Sequence, residues 1–127
     1  MSNAESKVIL IVEDDEDVRL SLQEILELEG YEVEGVIDGE EALQRARRDP
    51  RPALIILDVM MPRLSGLHFL EIRSKDERLE SIPIVIATAS GLSCVEHEVL
   101  AVLPKPLDLD VLLQIVHATC GSPAQSC

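Results

Sequence analysis

Short, continuous apolar runs are the feature that most constrains the fold of this chain. Residues 8–12, 53–57 and 84–87 form such runs and are rich in β-branched side chains, as expected for strands covered on both faces. Residues 31–35 alternate apolar side chains and glycine with glutamates, which predicts a half-exposed edge strand. Residues 100–103 add a brief fifth apolar run. The sequence therefore predicts five strands.

Helical patterns separate these strands. The first predicted helix has residues 14–17 in its first turn and Gly30 as its C-terminal cap, with apolar residues at helical spacing: Val18, Leu22, Ile25 and Leu26. Further helices are predicted at about 39–48, around Phe69 and Ile72, and at about 92–99. The last begins after a capping Asp108 and has a buried stripe of Val111, Leu112, Ile115 and Val116. Strands that alternate with helices indicate an α/β fold with a parallel sheet, because right-handed crossovers place helices on both of its faces.

Composition limits the classes of function. A chain of 127 residues with 46% hydrophobic content supports one globular domain. Its net charge of −13 disfavours direct binding of nucleic acid or of an anionic membrane surface. The sequence shows neither an apolar stretch of the roughly 20 residues that span a bilayer nor a signal segment, so we expect a cytoplasmic protein. The odd number of cysteines, without CxxC spacing, indicates plain thiols.

Polar side chains follow the predicted strands at the point where each one ends. Asp58 follows the run at 53–57, and the acidic cluster Glu13-Asp14-Asp15 follows the run at 8–12. Thr88 and Lys105 close two further runs. In a parallel sheet these groups share one edge, and ligands of such sheets bind at the carboxyl ends of the strands. We therefore expect a single site.

The chemistry of these groups favours capture of a phosphoryl group. Converging carboxylates repel each other, and a divalent cation with a preference for oxygen ligands, such as Mg²⁺, relieves the repulsion. Asp58 could then act as a nucleophile that forms an acyl phosphate. Lys105 could pair with the phosphoryl oxygens as a point charge, and the hydroxyl of Thr88 could bond another of them.

Four motifs at successive strand ends resemble those of the receiver domain of bacterial two-component response regulators. They are Val12-Glu13-Asp14-Asp15, Leu57-Asp58-Val59-Met60-Met61-Pro62 with Gly66 downstream, Ala87-Thr88-Ala89, and Pro104-Lys105-Pro106. The resemblance implies a three-layer α/β/α sandwich of the flavodoxin-like type, with a five-stranded parallel sheet in the order 2-1-3-4-5. The resemblance assigns residues 7–120 to the receiver domain. From the sequence itself, residues 1–6, which contain Ser2-Asn3-Ala4, are predicted to be a tag remnant or disordered start, and residues 121–127 a tail or linker.

The resemblance also implies a role for each site residue. Asp58 would be the phosphoacceptor, while Glu13, Asp14, Asp58 and the backbone carbonyl of Met60 would hold Mg²⁺. Thr88 would be the switch hydroxyl and Lys105 the phosphate-binding lysine. A histidine kinase or phosphotransfer protein would be the donor, and the chain would catalyse only its own phosphorylation and dephosphorylation. A downstream effector is implied without its identity, and a homodimer is left open.

Three features depart from the pattern of the family. Val102 stands where receivers usually carry Phe or Tyr, and its stiff β-branched side chain cannot swing as a ring does. The interval from Thr88 to Lys105 is several positions shorter than is usual, which predicts a short or irregular fourth helix. Leu107 replaces the aromatic residue that commonly follows the Lys-Pro pair. We therefore expect phosphorylation to be retained and its readout to differ.

Two other functions remain as alternatives at this point. One is an interaction module that keeps the fold without being phosphorylated. The other is a small-molecule phosphatase with an aspartate nucleophile, although Met60 stands where such enzymes typically place a second Asp as the general acid. The charged segments 45–51 and 76–80 are predicted to be solvated faces.

Overall fold

The structure is a computed structural model that describes residues 8–48, 50–58, 66–88, 99–104 and 107–121, without the side chains of residues 66–68 and 88. Within these ranges the chain forms five strands and four helices. In chain order they are β1 Val8–Val12, α1 Glu16–Leu28, β2 Glu32–Val36, α2 Gly39–Ala46, β3 Leu54–Asp58, α3 Gly66–Ser74, β4 Ile84–Thr88, β5 Ala101–Pro104 and α4 Leu109–Cys120.

The strands form one parallel sheet in the order β2-β1-β3-β4-β5. This order confirms the prediction from the resemblance. β2 lies at one edge of this sheet, as predicted. It is also half-exposed, since Glu32 and Glu34 are exposed while Val33 between them is buried. In contrast, every residue of β1 and β3 is buried, as their continuous apolar sequences predict.

Alternate residues of the strands supply two apolar cores, one on each face of the sheet. Leu10 and Val12 of β1 belong to the core that α2 and α3 cover, and Ile9 and Ile11 belong to the core that α1 and α4 cover. The chain is thus a three-layer α/β/α sandwich. Because neighbouring residues of a strand point to opposite faces, one apolar run serves both layers.

Helix ends follow the predicted caps. The side chain of Asp108 accepts hydrogen bonds from the backbone N–H groups of Asp110 and Val111 at the start of α4. Gly30, just beyond the end of α1, has a φ of 99°, the left-handed conformation that favours glycine at this position. None of the helices in the described part of the chain has the length and apolarity that crossing a membrane requires.

The buried stripe of α4 differs in part from the prediction. Leu112 and Val116 are buried as expected, whereas Val111 is 38% exposed. The third buried residue is Cys120, which continues the stripe at a spacing of four. The predicted helix at residues 92–99 lies outside the described residues, apart from Val99, which is not helical.

Arg45 corrects the prediction that residues 45–51 form a solvated face. Its side chain is buried, and its Nε donates to Oε1 of Glu34 on β2 at 2.6 Å. Its Nη1 also donates to the backbone carbonyl of Arg48 at 3.0 Å. A buried guanidinium needs such partners, because an unpaired charge is costly away from water. The pair therefore joins α2 to the edge strand β2.

Replacing Glu34 tests this pair through its pH dependence. The hydrogen bond from the Arg45 side chain holds the pKa of Glu34 below its ordinary value of 4.5. The stabilisation is therefore present above pH 4.5 and is lost as the pH falls through the lower pKa of the folded state. We expect Glu34→Gln to lower the free energy of unfolding by about 1 kcal/mol at neutral pH, a value reduced by solvent screening.

Urea unfolding across a pH series measures this effect. The difference between Glu34→Gln and the wild type should shrink as the pH is lowered below 4.5. Glu32→Gln removes the same charge from the same strand and serves as the control. A loss of stability for Glu34→Gln that stays constant down to the acid limit would contradict the pairing.

Candidate functional site

The register of β1 and β3 places two acidic side chains next to each other. Val12 of β1 pairs with Leu57 of β3, so the residues that follow them, Glu13 and Asp58, lie together at the carboxyl edge of the sheet. Asp58 is the last residue of β3 and pairs with Ala87 of β4. The structure thus brings together the ends of β1 and β3, as the sequence predicts.

Glu13, Asp14 and Asp58 form a carboxylate cluster. Each of them offers an oxygen atom, and these three atoms all lie within 4.8 Å of one another. Glu13 and Asp58 are only 4% and 5% exposed, whereas Asp14 is exposed to solvent. Like charges at this spacing repel strongly where water is excluded. The donor set fits a hard divalent cation such as Mg²⁺, which takes oxygen ligands and often binds through one or two carboxylates.

Backbone and side-chain hydrogen bonds hold the acidic segment in place. The backbone N–H of Glu13 donates to the carbonyl of Val36 at 3.0 Å, and the N–H of Asp15 donates to Oε2 of Glu13 at 3.2 Å. The side chain of Asp15 accepts from the N–H of Val18 at 3.2 Å and caps α1. Adjacent aspartates therefore divide two tasks: Asp14 joins the carboxylate cluster and Asp15 begins the helix.

Arg19 is a residue of this site that sequence reasoning missed. Its Nη1 donates to the backbone carbonyl of Glu13 at 3.0 Å. A signal was present in the sequence, since Arg19 is the only Lys or Arg between Lys7 and Arg45. The negative charges around this single cation already provide solubility, so its position in so acidic a segment indicates a specific contact.

An apolar cavity of about 370 Å³ lies beside Asp58, between α1, the sheet and the start of α4. Its polar lining comes from Glu13, Asp17, Ser21 and Asp58. The apolar lining consists of Ile11, Val12, Val18, Leu22, Ile25, Ile56, Ala87, Leu107 and Leu109. Asp58 therefore lies between the polar edge of the sheet and an apolar space under α1.

The remaining predicted site residues lie partly outside the residues that the structure describes. Thr88 is the last residue of β4, and its Cα pairs with that of Pro104, which places its backbone at the same edge of the sheet as Asp58. The structure does not describe the side chain of Thr88 or any part of Lys105 and Met60. The roles of these three residues therefore stay predictions. Val102 lies on β5 and is 37% exposed.

Curated relatives match most of this chain. The response regulator MprA of Mycobacterium leprae (strain TN) is 42% identical over 119 residues, which cover 87% of this chain and 49% of the relative. The response regulator MprA of Mycobacterium tuberculosis (strain ATCC 25177 / H37Ra) is 41% identical over 118 residues, with the same coverage. The chain spans about half the length of these relatives.

Solved structures show the same fold. The receiver domain of the sensor histidine kinase PA1611 from Pseudomonas aeruginosa PAO1 superposes with a TM-score of 0.82 at 29% identity, covering 92% of this chain and 99% of that one. That structure has a magnesium ion coordinated in its active-site cleft. The chemotaxis protein CheY4 of Vibrio cholerae gives a TM-score of 0.78 at 28% identity, covering 90% and 98% of the two chains.

A family model agrees with both comparisons. The model of the response regulator receiver domain matches residues 9–117, a range that begins within β1 and ends within α4. This range includes β1 from Ile9 onward, the whole of β2 to β5 and the whole carboxylate cluster. The chain therefore belongs to the response regulator receiver domain family.

Proposed function

We propose that Asp58 accepts a phosphoryl group from a histidine kinase or phosphotransfer protein in a Mg²⁺-dependent reaction, and that this event switches the interactions of the chain with its partners. The observation that carries the proposal is the carboxylate cluster, in which oxygens of Glu13, Asp14 and Asp58 lie within 4.8 Å of one another. Two-component phosphoacceptor signalling is the function of the family to which the chain belongs. The acceptor residue and the donor are what we add.

Glu13, Asp14 and Asp58 would hold the metal ion, together with the predicted carbonyl of Met60. When bound, the ion supplies neutralisation of the negative charge on the incoming phosphoryl group. The magnesium ion in the active-site cleft of the receiver domain of PA1611 supports this assignment. Asp14, exposed at the mouth of the cluster, leaves room for water and phosphoryl oxygens around the site.

Asp58 would supply the nucleophile. A carboxylate oxygen of Asp58 forms a bond to phosphorus while the bond from phosphorus to the imidazole nitrogen of the donor breaks. The electron pair of the broken bond returns to the imidazole nitrogen of the donor. A carboxylate nucleophile has no proton to lose in this step, so no general base on this chain is required. The predicted contacts of Lys105 and Thr88 with the phosphoryl oxygens would stabilise the charge as it is transferred.

The catalytic role of the chain would be confined to its own acyl phosphate. Receiver domains are not classical enzymes, and we assign to this chain only the formation and hydrolysis of phosphorylated Asp58. The assembled carboxylate cluster favours this role over an interaction module that is never phosphorylated. A small-molecule phosphatase is disfavoured by Met60, which offers no general acid at its position.

Exposed apolar side chains beside the cavity would form the docking surface of the donor. Val18 of α1 is 37% exposed, and Leu109 at the start of α4 is 38% exposed. Val18 and Leu109 also line the cavity that reaches Asp58. Apolar groups grouped in this way suit the apolar face of a partner helix. A helix docked there would lie next to the acceptor carboxylate.

Loss of the acceptor gives the most direct test. Asp58→Asn should abolish Mg²⁺-dependent labelling by acetyl phosphate, because an amide oxygen cannot form a stable acyl phosphate. Intact-mass spectrometry measures the phosphorylated fraction. Asp110→Asn makes the same chemical change at the exposed start of α4 and is the control. This variant should be phosphorylated to the same extent as the wild type. Persistent labelling of Asp58→Asn would require a different acceptor.

The carboxylate cluster also predicts that removing one of its charges raises the free energy of unfolding when no metal is bound. Glu13→Gln keeps an oxygen acceptor for the N–H of Asp15 and removes one of three crowded charges. Without Mg²⁺ we expect the free energy of unfolding to rise by about 1 kcal/mol and Tm by roughly 4 °C. Excess Mg²⁺ should stabilise the wild type more than the variant.

Thermal unfolding in EDTA and in excess Mg²⁺ measures both effects. Glu24→Gln, which removes an exposed charge from α1, is the matched control and should respond to Mg²⁺ as the wild type does. A Glu13→Gln variant with unchanged Tm in EDTA and an unchanged response to Mg²⁺ would argue against a cation site at this cluster.

The docking surface is tested by comparing two donors. Val18→Glu and Leu109→Glu should reduce the rate of transfer from a phosphorylated kinase roughly tenfold or more relative to the rate with acetyl phosphate, because only the protein donor needs the apolar surface. Leu28→Glu changes an 81% exposed leucine at the far end of α1 and is the control. Equal losses with both donors would assign the effect to the site itself and not to docking.

A further inference from the structure

Arg19 reaches from α1 to the backbone of the acidic segment. Its Nη1 donates to the carbonyl oxygen of Glu13 at 3.0 Å. This carbonyl belongs to the peptide unit that joins Glu13 to Asp14. Because a peptide unit is planar and rigid, fixing its oxygen also fixes the direction in which the chain continues to Asp14.

The other side of Glu13 is tied to the sheet. Its N–H donates to the carbonyl of Val36 on β2 at 3.0 Å. Glu13 is therefore held from both sides, by β2 through its N–H and by α1 through its carbonyl. Of the two proposed metal ligands in this segment, Glu13 is buried and Asp14 is exposed. The hydrogen bond from Arg19 is made to the peptide unit that leads to Asp14.

Gly35 provides the space that this contact needs. An added Cβ at Gly35 would lie 2.9 Å from Cδ and 3.0 Å from Cγ of Arg19, closer than carbon atoms normally approach. Gly35 lies inside β2, where glycine weakens a strand, so its absence of a side chain has a packing role here. The stem of Arg19 passes over Gly35 on its way to Glu13.

We propose that Arg19 is a positioning residue that sets the Mg²⁺ affinity of the site by orienting the Glu13–Asp14 peptide unit, and that Gly35 is required for its placement. This inference rests on the proposed function, in which the carboxylates of Glu13, Asp14 and Asp58 hold Mg²⁺. Arg19 acts through the backbone of Glu13, so its role is to place the ligands of the metal.

Charge and position have opposite effects at Arg19. A guanidinium near a cation site repels the cation, whereas correct placement of Asp14 favours its binding. A substitution at Arg19 changes both terms together. Gly35→Ala separates them, because it leaves the charge of Arg19 intact and displaces its stem. The informative measurement is therefore the effect of Gly35→Ala with and without Arg19.

A double-mutant cycle of wild type, Gly35→Ala, Arg19→Ala and the double variant tests the proposal. The Kd for Mg²⁺ is measured from the shifts of backbone amide resonances, and Tm in EDTA reports stability separately. We expect Gly35→Ala to weaken Mg²⁺ binding roughly two- to tenfold, the factor carried by one ordinary hydrogen bond. In the Arg19→Ala background, where no stem remains to be displaced, Gly35→Ala should leave the Kd unchanged.

The kinetics of labelling give a second readout. Gly35→Ala should raise the Mg²⁺ concentration for half-maximal labelling by acetyl phosphate while the rate at saturating Mg²⁺ stays the same. A variant that merely loosens the fold would lower the saturated rate as well.

Two results would overturn the proposal. One is an unchanged Kd in Gly35→Ala, and the other is an equal weakening by Gly35→Ala in both backgrounds, which would assign the effect to β2 itself. Failure of the proposed function has a different signature. In that case the wild type would show no saturable Mg²⁺ shifts and no Mg²⁺-dependent labelling at Asp58, and both proposals would fall together.

Discussion

The parallel pairing of β1 with β3 is the constraint on which the rest of the structure depends. Both strands are buried along their whole length, so their register is fixed by apolar packing on two faces. That register puts Glu13 and Asp58 side by side. The repulsion between these groups opposes folding, yet it cannot separate them without exposing both cores. The apolar strands thereby keep these carboxylates together, in the arrangement that the proposed Mg²⁺ site requires.

The acidic turn after β1 shows how one short segment serves structure and chemistry together. Asp15 caps α1 through the N–H of Val18, while Asp14 joins the carboxylate cluster. Arg19, one turn into α1, returns to the carbonyl of Glu13. The helix therefore stabilises the turn that precedes it, and the turn starts the helix. This reciprocal arrangement would link the proposed metal binding to the N-terminal end of α1.

The sequence predicts the strands and the carboxylate cluster because both follow from local patterns. Continuous apolar runs mark β1 and β3, and the acidic residues directly follow or end them. Contacts between elements could not be predicted in this way. The pairing of Arg45 with Glu34 depends on how α2 lies against β2, and charge alone favoured a solvated arginine. The passage of Arg19 over Gly35 depends on the packing of α1 against β2, which no helical period reveals.

Val102 would limit how the proposed phosphorylation of Asp58 is read out. Its β-branched side chain on β5 has one stiff torsion and offers no ring to move between an inner and an outer position. The elements that line the space beside Asp58 are instead α1, through Asp17 and Val18, and the segment leading into α4, through Leu107 and Leu109. A phosphoryl group adds up to about two negative charges at Asp58, on the same cavity as the carboxylate of Asp17. Repulsion between this added charge and Asp17 would act on α1, because the lining near α4 is supplied by the uncharged side chains of Leu107 and Leu109. The proposed phosphorylation would therefore act first on the N-terminal turn of α1.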